Sequence, residues 1–189
     1  MTAPTAGRGG RTAVQLVAIG LLAAAVTGAL YAFGTVHTPD YTFSLFGQDV
    51  EGALWLKSLL ATVAIGLAVV QVAFALWLYR KLPLAGAAPR PVARAHRIIG
   101  LVLFALTVPI AVHCMLAYGV VLSDPRVAVH ALAGCLFYGA FTAKVLVVQA
   151  RRLPGWTLPA AGGALAVLLA VLWYSSALWV YNGFRLPFA

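Results

Sequence analysis

The chain has 189 residues, of which 63% are hydrophobic and 9% charged, with a formal net charge of +9. Average soluble domains are roughly a quarter charged, so this composition and a mean hydropathy of +0.97 exclude an ordinary soluble fold. The basic residues stand in short clusters between apolar runs rather than along an aromatic-interleaved stripe, which argues against a nucleic-acid surface and matches the placement of membrane topology signals.

A membrane-spanning helix needs about 20 mainly apolar residues. The first such run covers residues 13–33 and follows Arg8 and Arg11. It is longer than the roughly 7 to 15 apolar residues of a signal peptide, and no clear cleavage site follows, so a retained helix is expected. The next segment, 34–52, is a loop rich in Phe and Tyr, placed to lie along the bilayer surface or to cap the bundle. It carries His37, read as a surface residue, with a spare-ligand role as the alternative. The second helix is expected over 53–79, with Lys57 about one turn inside it. A proline-punctuated link then leads to a third helix over 98–122, with His96 at its start and Pro109, His113 and Cys114 within it. A turn centred on Ser123, Asp124 and Pro125 joins it to a fourth helix over 127–150, which holds His130, Gly134, Cys135 and Lys144. The fifth helix is expected over 158–181.

Charge placement orients these spans. Arg8 and Arg11 precede the first helix. Arg80, Lys81, Arg90, Arg94 and Arg97 lie between the second and third, and Arg151 and Arg152 between the fourth and fifth. By the positive-inside rule these loops face the cytoplasm. Arg126, Arg185 and all four acidic residues, Asp40, Asp49, Glu51 and Asp124, fall on the other side. Trp55 and Trp179 sit near the outer interface, and Trp77 and Trp156 near the inner one, as membrane aromatic belts require. The expected fold is therefore an all-α, polytopic bundle of five transmembrane helices. It forms one membrane domain over residues 1–189, with its N-terminus cytoplasmic and its C-terminus outside, in a bacterial cytoplasmic membrane. No internal repeat, Walker motif, dinucleotide fingerprint or HExxH is present.

Ionisable groups inside lipid are costly and are functional candidates by default. His113 and His130 both fall in the outer half of the bundle, on helices joined by a short turn and so expected to be antiparallel neighbours. Counted from Asp124 at ~1.5 Å per residue, they lie about 15 Å and about 9 Å deep. Two imidazoles so placed suit the opposite faces of one haem, since haem iron takes histidine as an axial ligand and neutral imidazole carries no charge into lipid. Gly134, one turn after His130, leaves room for a flat ring on that face. The bland alternative is that both histidines make interhelical hydrogen bonds. Lys57 either snorkels to the interface or supplies a counter-charge to haem propionates or an anionic substrate. Lys144 is expected to snorkel inward beside Arg151 and Arg152. His96 lies about 25 Å from His113, too far to share an iron, and is read as interfacial. Cys114 and Cys135 read as small buried apolar side chains, with a disulfide between them as the minor alternative.

His96 in His-Arg-Ile-Ile-Gly, His113 in Val-His-Cys and His130 in Val-His-Ala-Leu-Ala-Gly give helices three and four a resemblance to small membrane b-type cytochromes, the cytochrome b561-like and ferric-reductase-like bundles. Those families often hold two haems through four helix-borne histidines, and this chain lacks the fourth. The chain as a whole also looks like an uncharacterised family of small bacterial multi-pass proteins. The resemblance implies an electron-transfer subunit. One haem b would be held by His113 and His130 with Lys57 near its propionates, exchanging electrons with a quinone or an outer redox protein. The competing expectation is a cofactor-free scaffold, assembly factor or small-molecule carrier.

Overall fold

The computed structural model describes residues 6–83, 86–150 and 153–186, with side chains from Gly10 onward. Five long helices follow one another: α1 (Ala6–Val36), α2 (Val50–Leu78), α3 (Arg90–Ala117), α4 (Pro125–Gln149) and α5 (Thr157–Trp173). The last continues through a π-helical turn, Tyr174–Leu178, into the closing turn Trp179–Tyr181. All five spans are long and apolar enough to cross a membrane, and no strand occurs among the described residues. Helix is the form that lets such segments pair their backbone groups without water. The protein is an all-α multi-pass bundle.

Local signals set the helix ends, and they move some of them away from the hydropathy limits. Asp49 caps α2 by accepting from Gly52 N at 2.7 Å, and Asp124 caps α4 by accepting from Val127 N at 2.8 Å. Pro125 follows at the start of α4, where its missing N–H costs nothing. α3 begins at Arg90, not near residue 98, because Pro91 opens it in the same way and Arg94 and Arg97 ride on its polar first turns. It ends at Ala117, short of residue 122. Gly119 takes φ +65°, and Val120 N then donates to Gly34 O at 2.7 Å, so the chain leaves the helix to strap α1.

The main packing partners are α1 with α4, α4 with α5, α2 with α3, and α2 with the fifth span. Ala64 and Ala68 of α2, Phe137 of α4 and Leu169 of α5 form the buried centre. α1 lies tightly on α4. A Cβ at Gly139 would run into the Thr27 hydroxyl and the Ala23 carbonyl, so only glycine lets these helices meet. Consecutive α3 and α4 meet, as the short turn between them leads one to expect, and they do so through long side chains. Phe104 stacks on Phe141 at 3.8 Å, and Tyr138 Oη donates to Thr107 at 3.2 Å. The segment after α3 also takes in the end of α1, through Val120 N and Gly34 O. Val69, Leu101, Val148 and Val167 stand more than 60% exposed. In water such a surface would be a liability, but against acyl chains it is the expected exterior.

The helix ends gather at two poles. Asp40, Asp49, Glu51 and Asp124 cluster at the pole holding the ends of α1 and α3 and the starts of α2 and α4, here termed the acidic pole. The opposite, basic pole includes Arg90, Arg94 and Arg97. Arg151 and Arg152 lie outside the described residues.

Candidate functional site

The acidic pole is covered by the 37–49 loop. Asp40 N donates to Leu116 O at 3.0 Å, and Leu45 is buried beneath the loop. His37, expected at the surface, is half-buried. Its Nε2 lies 3.1 Å from Leu116 O and its ring stacks on Phe33 at 5.1 Å, so it clasps α1 to the end of α3. Asp40 accepts from the Thr42 hydroxyl at 2.6 Å and from Thr42 N at 3.0 Å. Hydrogen bonding from Thr42, side chain first, holds its carboxyl below the ordinary value.

Beneath this loop His113 is 2% exposed. Its Nδ1 lies 3.3 Å from Lys57 Nζ, and its ring meets Tyr118 at 5.6 Å and Phe43 at 6.0 Å. Lys57 also sits over the Tyr118 ring, 4.6 Å from its centroid. Among the described residues the partners of this lysine are thus an imidazole and an aromatic face, not a carboxylate. An ammonium has only donors, so Nδ1 must accept and the neutral ring must carry its hydrogen on Nε2. A cavity of about 280 Å³ opens beside His113 and Tyr118, closed by Tyr41, Phe43, Gln48 and Asp49. Its size is at the lower end for small-molecule sites.

His130 faces a different helix. Its Nδ1 lies 3.0 Å from Ser175 Oγ, and the Ser175 hydroxyl donates to Val171 O at 2.7 Å. The serine oxygen is therefore the acceptor, so His130 carries its hydrogen on Nδ1 and a lone pair on Nε2. Arg126, one turn earlier on α4, donates to Ser175 O at 2.9 Å and lies 3.8 Å over the Trp179 ring. Both reach the π-helical turn, which presents Ser175 toward α4. Such turns recur at functional sites. Gly134, expected to open space for a flat ring, lies against Leu172, which a Cβ there would meet at 3.9 Å.

The structure thus joins Lys57 with His113 and sets His130 apart with Ser175. The cavity beside His113 is not lined by His130. The two imidazoles are thus engaged by different partners, His113 by Lys57 at 3.3 Å and His130 by Ser175 at 3.0 Å. Among the described residues no group of three or more His, Cys, Asp or Glu is placed to hold a metal ion. Cys114 and Cys135 are both free thiols.

At the basic pole, Gln71 Nε2 donates to His96 O at 2.6 Å, while Gln71 Oε1 and His96 Nδ1 are buried without partners. Lys144 lies near enough to act electrostatically on His96. Sequence reasoning passed over Tyr118, Phe43, Ser175 and Arg126. For the last two a signal existed. Arg126 stands four residues before His130, on the same helix face, and Ser175–Ser176 interrupts an otherwise apolar helix.

Residues 15–188 match a family described as "Family of unknown function (DUF6529)", and the chain belongs to that family. No curated protein and no solved structure matches it.

Proposed function

We propose that this bundle is a cofactor-free membrane carrier or receptor subunit that takes up a small carboxylate-bearing molecule in the cavity lined by His113 and Tyr118, the two side chains that Lys57 touches, with Lys57 behind them as its counter-charge. The observation that carries this reading is the Lys57 ammonium, placed inside a membrane span and partnered by His113 and Tyr118 rather than by an acid. A cation held in a span without a carboxylate partner is a functional candidate by default, and an anion is its natural complement. The ammonium has three hydrogens, so an entering carboxylate takes one while the bond to His113 persists. Tyr41, Phe43 and Tyr118 supply the flat apolar walls that fix its orientation.

Thermal unfolding of the detergent-purified protein with a graded series of small carboxylates and matched amines tests the proposal. Carboxylates are expected to raise the Tm, and Lys57→Met to abolish the rise. Equal responses to acids and amines, or a response that survives the substitution, would overturn it.

A second reading keeps His130 as a haem ligand. Its Nδ1 hydrogen is held by Ser175 and its Nε2 is free of hydrogen, the usual state of a metal-bound histidine. His113 joins as the opposite ligand only by giving up Lys57. The bound haem would supply reversible one-electron chemistry, and the quinone and redox protein expected as partners belong to this reading. An oxidised-minus-reduced visible spectrum decides it. A b-type band lost in His113→Ala and in His130→Ala establishes it, and colourless protein from cells with ample haem sinks it.

A further inference from the structure

We propose that the groove between α4 and the fifth span is a binding site for an anionic phospholipid, with the headgroup phosphate on Arg126 and one acyl chain lying between the helices. The groove is an open trough of about 650 Å³ and shares no lining residue with the cavity beside His113. Its walls are Val129 on α4 and Val167, Ala170 and Val171 on α5. The small side chain of Ala170 leaves the trough open. From Ser175 to Val167 the trough follows about 12 Å of helix, enough for the upper part of an acyl chain.

Charge selects the occupant. Arg126 stands at the acidic-pole mouth of the trough, where a lipid headgroup would lie. Its guanidinium is always charged. Ser175 O takes one of its five N–H groups and the Trp179 ring supports its face, so it is held in place at the end of the trough. An apolar trough with a fixed, forked cation at its polar end matches a chain-bearing phosphate, which the fork can bind through two oxygens. The π-helical turn builds the site, because it brings the Ser175 carbonyl within reach of α4.

Native mass spectrometry of the full chain in detergent, loaded with equimolar dioleoyl phosphatidylglycerol and dioleoyl phosphatidylcholine, tests this. About fivefold preferential retention of phosphatidylglycerol is expected, as one fixed cation near a lipid surface supports. Arg126→Gln should bring the two lipids to parity. Ala170→Phe, at an exposed position that leaves Arg126 intact, should lower retention of both by filling the trough. Far-UV circular dichroism melts confirm that each variant is folded. Equal retention by the unaltered protein overturns the proposal, and so does an undiminished preference in Arg126→Gln. Loss of preference in Arg126→Gln with full retention in Ala170→Phe would also overturn it, since headgroup attraction without the groove would then explain the result.

Discussion

Whenever an ammonium meets an imidazole it must be the donor, and this fixes a proton position that no sequence displays. Lys57 therefore holds His113 as the Nε2–H tautomer, and Ser175 holds His130 as the Nδ1–H tautomer. Nitrogen-15 NMR of the selectively labelled protein should show two histidines of opposite tautomer, and Lys57→Met should release only His113 into a mixture. Asp40 offers a second residue-scale test. Its folded-state pKa lies below the ordinary 3.8, so the stabilisation is complete above that value and is lost as pH falls through the lower folded value. Carboxyl NMR should find Asp40 titrating below 3.8, and Thr42→Val should move it upward toward that value. Lys57 and His113 were legible as candidates because charge and imidazole stand out in apolar runs. Their pairing was not, because it depends on how α2 packs on α3. Tyr118 and Phe43 were invisible for a related reason, since a loop aromatic gains a role only when the loop folds back.

Among the elements, the five spans were readable from hydropathy. The ends of α3 were not, because Pro91 and Gly119 govern them and neither is apolar. The π-helical turn joins α4 to the fifth span through Ser175, which receives both His130 and Arg126. Ser175→Ala strands the His130 Nδ1 hydrogen and should destabilise the bundle by about 1–2 kcal/mol, measured by denaturant unfolding in mixed micelles. Gly139 is the comparable point on α1. Gly139→Leu forces α1 away from Thr27 and Ala23 and should cost about 1–3 kcal/mol. Protease nicking of the 37–49 loop should rise with it, since the loop follows α1 directly and His37 ties that junction to the end of α3.

At the scale of the molecule, the charge pattern predicts the acidic pole outside the cell. In a Cys114→Ser/Cys135→Ser background, a membrane-impermeant maleimide on whole cells should label Phe46→Cys and leave Gly86→Cys untouched. Phe46 is 70% exposed at one pole, and Gly86 lies at the other, where its carbonyl receives Trp77 Nε1. The pairing of α1 with α4 escaped the sequence, because hydropathy orders the spans along the chain and not around the bundle. The packing of α1 on α4 has a consequence in time. A ribosome delivers helices in order, so α1 enters the bilayer three spans before the partner that accepts Gly139 against Thr27. During that interval its contact face meets only lipid, and any truncation before α4 leaves it an orphan for quality-control proteases to find.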